Sequence, residues 1–228
     1  PSPLRPIPWE LMFDPWKRDF VGYGDQTTLV RYAPRSQKVA LSSGASGITI
    51  LVVISQPSDL PAIQEQAERD LIASVLADAT QTGRVRIIFK PASETEILNG
   101  LNQDPDVLHF VGHGVVDETG LPGIYLQNTA GFAEFIDAET FRSKFIVPFP
   151  GPRRLRLAVL NACQTSAEPS TTGYESFAYQ LLSSVNSVVA MQYPVETNSA
   201  RAFSGALYQA LAESTQLDEA ITRARQAI

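Results

Sequence analysis

Residues 107–114 read VLHFVGHG, and residues 157–166 read LAVLNACQTS. Each begins as a continuous apolar run and ends on small or polar residues, the pattern of a strand buried on both faces of a parallel sheet. Both histidines of the chain, His109 and His113, lie in the first run, and its single cysteine, Cys163, lies in the second. In an open parallel sheet the working groups cluster beyond the carboxyl ends of the strands. If the two runs are neighbours, imidazole and thiol converge on one rim of the sheet.

Working outward, Ile48–Ser55 (ITILVVIS) is a third apolar, β-branched run. Pro61 is expected to open a helix reaching about Thr80 and ended by Gly83. Val85–Phe89 reads as the next strand. Ser93 followed by Glu96 forms a capping box for a helix to Asn102. The central strand is placed at Val107–Val111, with His113-Gly114 after it. Gly123–Gln127 reads as a short strand, Asp137 as the cap of a helix to about Phe145, and Leu155–Leu160 as the fourth central strand. A helix over Tyr174–Ser184, a strand over Ser187–Tyr193, and helices over Glu196–Glu213 and Leu217–Ile228 complete the series. Upstream, the prolines of residues 1–15 discourage helix until about Trp9. Phe20-Val21 and Thr27–Tyr32 around Gly22–Asp25 suggest a hairpin, and Trp9 and Trp16 are expected to pin this segment to the core. SSGASG at 42–47 reads as a loop. Strands alternating with helices predict an α/β fold, a mostly parallel sheet flanked by helices on both faces. The chain reads as a single domain, 1–228, with 1–47 an N-terminal hairpin extension packed on the core.

Composition narrows the function. The 228 residues carry a formal net charge of -6, with 44% hydrophobic and 18% charged residues, as in a globular domain. The densest basic cluster, Arg153-Arg154-Leu155-Arg156, is not interleaved with aromatics, so no nucleic-acid contact is expected. The longest apolar stretch is too short to span a bilayer, and the Pro-rich start has no signal-peptide core, so no membrane partner is expected. One cysteine makes no internal disulfide, in keeping with a reducing, cytoplasmic setting. A start at PSPLRPIPWE rather than Met suggests a segment of something longer.

A cysteine nucleophile needs a base to take its proton, and an imidazole does this near neutral pH. Gly114, without a Cβ, lets the backbone approach a substrate. The N–H groups of Gly114 and Cys163 are the expected oxyanion donors. By period-two alternation His109 shares the face of His113 and reads as a core or supporting histidine. A zinc site of His109, His113 and Cys163 is the alternative, but no fourth ligand stands at typical spacing. A lone cysteine at a strand end is also commonly just a small buried hydrophobe.

The chain resembles the CHAT domain, a caspase-like family related to caspases and separases. The matching segments are IPWELMFD, LHFVGHG, LAVLNACQTS, SVVAMQYPVETNSARAF and LYQALAESTQLDEAITRAR, which follow the family's order over nearly the whole chain. In caspases a histidine stands about 50 residues upstream of a Q-A-C motif; here His113 stands the same distance before an NAC. The resemblance implies a caspase-like sheet and a cysteine endopeptidase with a His113–Cys163 dyad. It works through a thioester and needs no cofactor or metal. The implied partners are a protein or peptide substrate and a regulatory domain or activator protein outside this segment, in an effector of cell death or defence. The alternative is a catalytically idle interaction module. Asn161 stands where metacaspase-like relatives carry an acid that selects basic side chains, a charge asparagine cannot supply. Asn161, Tyr193, Pro194 and Glu196 are the expected substrate-binding residues. Tyr193 either stacks on a peptide side chain or simply packs, and Glu196, Asp117 and Glu168 are pocket acids or solvated charges. Two departures stand out. The sequence stops at Ile228, where the family commonly carries a further strand, and SAEPSTTGYES replaces a glycine-rich run after the cysteine. That loop is short, so caspase-like self-cleavage is not expected.

Overall fold

Ile48–Ile54 forms the buried strand its β-branched run demands, and the rest of the sheet assembles on it. The computed structural model describes residues 7, 9–24, 28–30, 47–148, 155–164, 173–191, 195–213 and 216–228, with side chains at 163–164 and 173–176 outside the description. In chain order the regular elements are β1 (Phe13–Asp14), β2 (Asp19–Phe20), β3 (Ile48–Ile54), α1 (Glu65–Val75), α2 (Ala77–Gln81), β4 (Val85–Pro91), α3 (Glu94–Leu101), β5 (Val107–Val116), β6 (Pro122–Gln127), β7 (Ala133–Asp137), α4 (Ala138–Phe141), β8 (Leu157–Gln164), α5 (Gly173–Leu181), β9 (Ser187–Ala190), α6 (Thr197–Ala212) and α7 (Leu217–Gln226). Chain contacts divide them into two compact units.

The larger unit, Pro34–Glu65 with Thr80–Val195, is a mixed α/β body around a seven-stranded sheet. Strands β4, β3, β5, β8 and β9 run parallel in that spatial order. β5 outruns β3: its Val107–Val111 pairs β3, and its Gly114–Val116 pairs antiparallel with β6, which continues into β7. The other edge of β5 is paired with β8 from Val107↔Leu157 to Gly114↔Gln164. Leu51, Val53, Leu108, Phe110, Ala158 and Leu160 turn one face of the sheet into a cluster with Ile97, Phe141, Phe145 and Phe177 of the helical layer. Alternate residues on the opposite face, Ile50, Val52, Ile54, Val111 and Val159, are buried too, so these strands read as unbroken apolar runs.

Several boundaries depart from expectation for local reasons. α1 starts at Glu65, not Pro61, and the Pro61 carbonyl lies 2.9 Å from Nε2 of His113. The expected long helix also breaks near Leu76 into α1 and α2. β5 does not end before His113-Gly114 but runs through both residues to Val116, held extended by β6 on one side and β8 on the other. β7 has no counterpart in the sequence pattern. Ser93 does cap α3, accepting from the Glu96 N–H at 3.4 Å, but the Glu96 carboxylate turns to Lys90 at 2.6 Å and Asn99 at 3.0 Å. Asp137 caps α4 as expected, and a π-helical stretch, Arg142–Ile146, extends that helix.

The smaller unit comprises Pro1–Ala33, Gln66–Ala79 and Glu196–Ile228. Among its described residues β1–β2 forms a hairpin, registered Phe13↔Phe20, and Val21–Tyr23 forms a 3-10 turn. Part of the expected hairpin, and the 42–46 loop, lie outside the described residues. Trp16 does not pin the segment, since it is 91% exposed on the β1–β2 turn. What holds the segment is α7: the Gln226 amide donates to the Tyr23 carbonyl at 2.6 Å, and Arg225 donates to the Leu29 carbonyl at 3.2 Å. Between α1 and α6 the buried Glu68 accepts from Arg201 at 2.9 Å. Burial pushes its carboxyl up, against the pull of that guanidinium. No helix among the described residues is long and apolar enough to cross a membrane.

Candidate active site

The HFVGHG segment sets the site through strand alternation. Leu108, Phe110 and Gly112 take the face of the main cluster, which leaves His109, Val111 and His113 on the other. Gly112 is required by close approach rather than by a turn: a Cβ there would meet the Phe110 ring at 2.6 Å and the Ser55 Cβ at 3.0 Å. That packing is why a glycine inside the run does not end the strand.

β8 delivers the cysteine by the same logic. In the parallel register His109 faces Val159, Val111 faces Asn161, and His113 faces Cys163. Adjacent strands lie about 4.8 Å apart, so the backbones at positions 113 and 163 are side-by-side neighbours across the β5–β8 ladder. The two positions singled out in the sequence are therefore register partners, one on each central strand.

The His113 ring is 7% exposed, and its Nε2 lies 2.9 Å from the Pro61 carbonyl oxygen. A carbonyl can only accept, so Nε2 carries the proton and donates it. In the neutral ring Nδ1 then holds the lone pair, and the imidazole is fixed both in orientation and in tautomer. The orienting group is a main-chain oxygen, which no residue type reveals; sequence reading missed it.

His109 is fully buried on the same face, and burial lowers its pKa to about 3. It is a neutral core residue at physiological pH, as the sequence suggested. Asn161 is 5% exposed and lies two positions before the cysteine on the face it shares with His113. Gly114 has register neighbours on both sides, Gln164 and Ile124, so it is a ladder residue at the rim rather than a glycine of a free loop. Asp117 is no pocket acid. Its Oδ1 accepts from the Thr119 hydroxyl, the Leu121 N–H and the Thr119 N–H, and these bonds hold its carboxyl below the usual range while they shape the β5–β6 turn. Glu196 is an exposed residue before α6 in the smaller unit. Tyr193, Pro194 and Glu168 lie outside the described residues. Among the described residues no group of three or more His, Cys, Asp or Glu is placed to hold a metal ion.

The family model described as CHAT domain matches residues 2–228. No curated protein matches the sequence. Among solved structures the chain is similar to the Arg-specific cysteine proteinase gingipain R, at 14% identity and a TM-score of 0.49. That likeness covers 78% of this chain, which spans only 41% of the gingipain chain. It is also similar to caspase-1 from Spodoptera frugiperda, at 16% identity and a TM-score of 0.44, covering 82% of this chain and 77% of that one. The pro-form of sf-caspase-1 aligns at 12% identity and a TM-score of 0.45, covering 80% and 77%.

Proposed function

The chain belongs to the CHAT domain family, and from that premise we propose that it is a cysteine endopeptidase in which Cys163 attacks a peptide carbonyl and His113 moves the proton. The observation that carries this reading is the register pair His113↔Cys163, with the imidazole held by the Pro61 carbonyl.

In the first step the Cys163 proton passes to Nδ1 of His113, and the thiolate forms a C–S bond to the scissile carbonyl carbon. The carbonyl π pair moves onto oxygen, and main-chain N–H donors beside the dyad stabilise that oxyanion. As the tetrahedral centre collapses the C–N bond breaks, and His113 returns its proton to the leaving amine. Water, deprotonated by the same imidazole, then attacks the thioester; the carboxylic acid departs and the thiol is restored. Throughout, the Pro61 carbonyl stabilises the doubly protonated ring, whose Nε2–H it already accepts. Asn161, beside the dyad on the sheet face, is assigned to substrate contact. On the same premise, an attached or partner domain controls the activity.

Purified wild-type and Cys163→Ala chains, assayed side by side on an internally quenched peptide library, test the reading. Cleavage by the wild type, lost to background in the variant at an unchanged melting midpoint, is expected. Equal cleavage by both would reject the dyad, and inactivity of both would favour an idle interaction module.

A further inference from the structure

Beyond the carboxyl ends of β3 and β4 lies a cavity of about 410 Å³ lined by Gln56, Pro57, Ser58, Leu60, Ala62, Glu65, Pro91 and Gln127. Leu60 and Ala62 flank Pro61, whose carbonyl holds His113, so the cavity and the proposed catalytic imidazole share one loop. We propose that this cavity is a subsite for a cationic side chain, Arg or Lys, of the peptide being cleaved; the proposal rests on the protease reading above.

The lining is matched to such a side chain in both its parts. Pro57, Leu60, Ala62 and Pro91 make apolar walls suited to an aliphatic stem. The polar lining is weighted toward acceptors. Gln127 gives its amide nitrogen to the Gln56 carbonyl at 3.1 Å, which fixes that amide and turns Oε1 the other way. Ser58 gives its hydroxyl proton to the Gly131 carbonyl at 3.2 Å, leaving the oxygen as an acceptor. Glu65 is the only ionisable residue in that lining. A guanidinium or ammonium supplies donors and no acceptors, the complement of this set. The volume is near the lower end of the roughly 300–1,000 Å³ range of small-ligand sites, enough for one long side chain with water.

The test uses a quenched peptide of fixed sequence in which one position at a time carries Arg, Lys, citrulline or Gln. At one position near the scissile bond, Arg and Lys should exceed citrulline and Gln in kcat/KM by roughly fivefold, the factor for a partly exposed ion pair of about 1 kcal/mol. Glu65→Gln should collapse that ratio toward one, and Glu65→Lys should invert it in favour of a Glu-bearing peptide. Equal rates for Arg and citrulline at every position, or a cationic preference undiminished in Glu65→Gln, would overturn the proposal. The same peptides titrated against Cys163→Ala by fluorescence anisotropy separate the two readings. Glu65-dependent binding of the Arg peptide without cleavage by the intact chain would keep the subsite and reject the protease. Cleavage blind to charge would keep the protease and reject the subsite.

Discussion

Replacing Gly112 by alanine puts a methyl group where the sheet has no room. The added Cβ would lie 2.6 Å from Cε1 and Cζ of Phe110 and 3.0 Å from the Ser55 Cβ. Ordinary carbon contacts need about 3.5–4.0 Å, so something must shift by roughly 1 Å. Neither neighbour yields readily. Phe110 is fully buried in the main cluster, and Ser55 is pinned by its N–H to the Val111 carbonyl at 2.8 Å and its hydroxyl to the Tyr125 carbonyl at 2.6 Å. Overpacking in such a setting falls at the upper end of its usual range, about 3 kcal/mol. For a chain of this size that lowers the melting midpoint by roughly 6–12 °C. The strand must also bow at the residue before His113, and a displacement of about 1 Å at a reacting group reduces cleavage on the order of a hundredfold. Gly120→Ala is the control: its φ of +84° strains an alanine, yet no atom lies within 4 Å of the new Cβ. It should cost about 1–2 kcal/mol through backbone conformation and leave cleavage near wild type. Thermal melts and peptide cleavage of both variants decide the matter. A Gly112→Ala chain that melts and cleaves like Gly120→Ala would refute the claim that this glycine exists for packing beneath the site.

Two further predictions concern stability. His109 has its pKa lowered by burial from 6.5 to about 3, so the folded state resists a proton that the unfolded chain accepts. Its contribution is therefore whole above 6.5 and lost as pH falls from there toward 3; at 1.36 kcal/mol per unit the loss at about pH 5 is roughly 2 kcal/mol. Denaturant melts at about pH 7 and pH 5 should show His109→Leu losing less stability than the wild type on acidification, and parallel losses would contradict a buried neutral imidazole. Asp137 accepts from the Glu139 and Thr140 N–H groups at 2.9 and 3.0 Å and also from the Thr140 hydroxyl, whereas Ser93 accepts one N–H at 3.4 Å. Asp137→Ala should therefore cost about 1–2 kcal/mol and Ser93→Ala about 0.5 kcal/mol, and the reverse ranking in denaturant melts would discredit these cap geometries.

The sequence alone determined the strand set of the parallel sheet and the identity of the dyad candidates. Continuous β-branched runs such as Ile48–Ile54 have no favourable fate but burial between two layers, and only two histidines and one cysteine were available to choose from. Side-chain alternation also put His109 and His113 on one face without reference to any partner strand. What the tertiary structure decided was everything that depends on which segments become neighbours. β5 runs on through His113-Gly114 because β6 returns alongside it, and a glycine-containing stretch does not announce a partner that lies beyond the next turn. The one-to-one register of His113 with Cys163 follows from pairing β5 directly with β8 over residues fifty positions apart. The Pro61 carbonyl enters only in three dimensions, because every residue carries that group and composition cannot single one out. Periodicity is a local property of the chain and can be read from it, whereas register and main-chain hydrogen bonding between distant segments are set when the whole core packs.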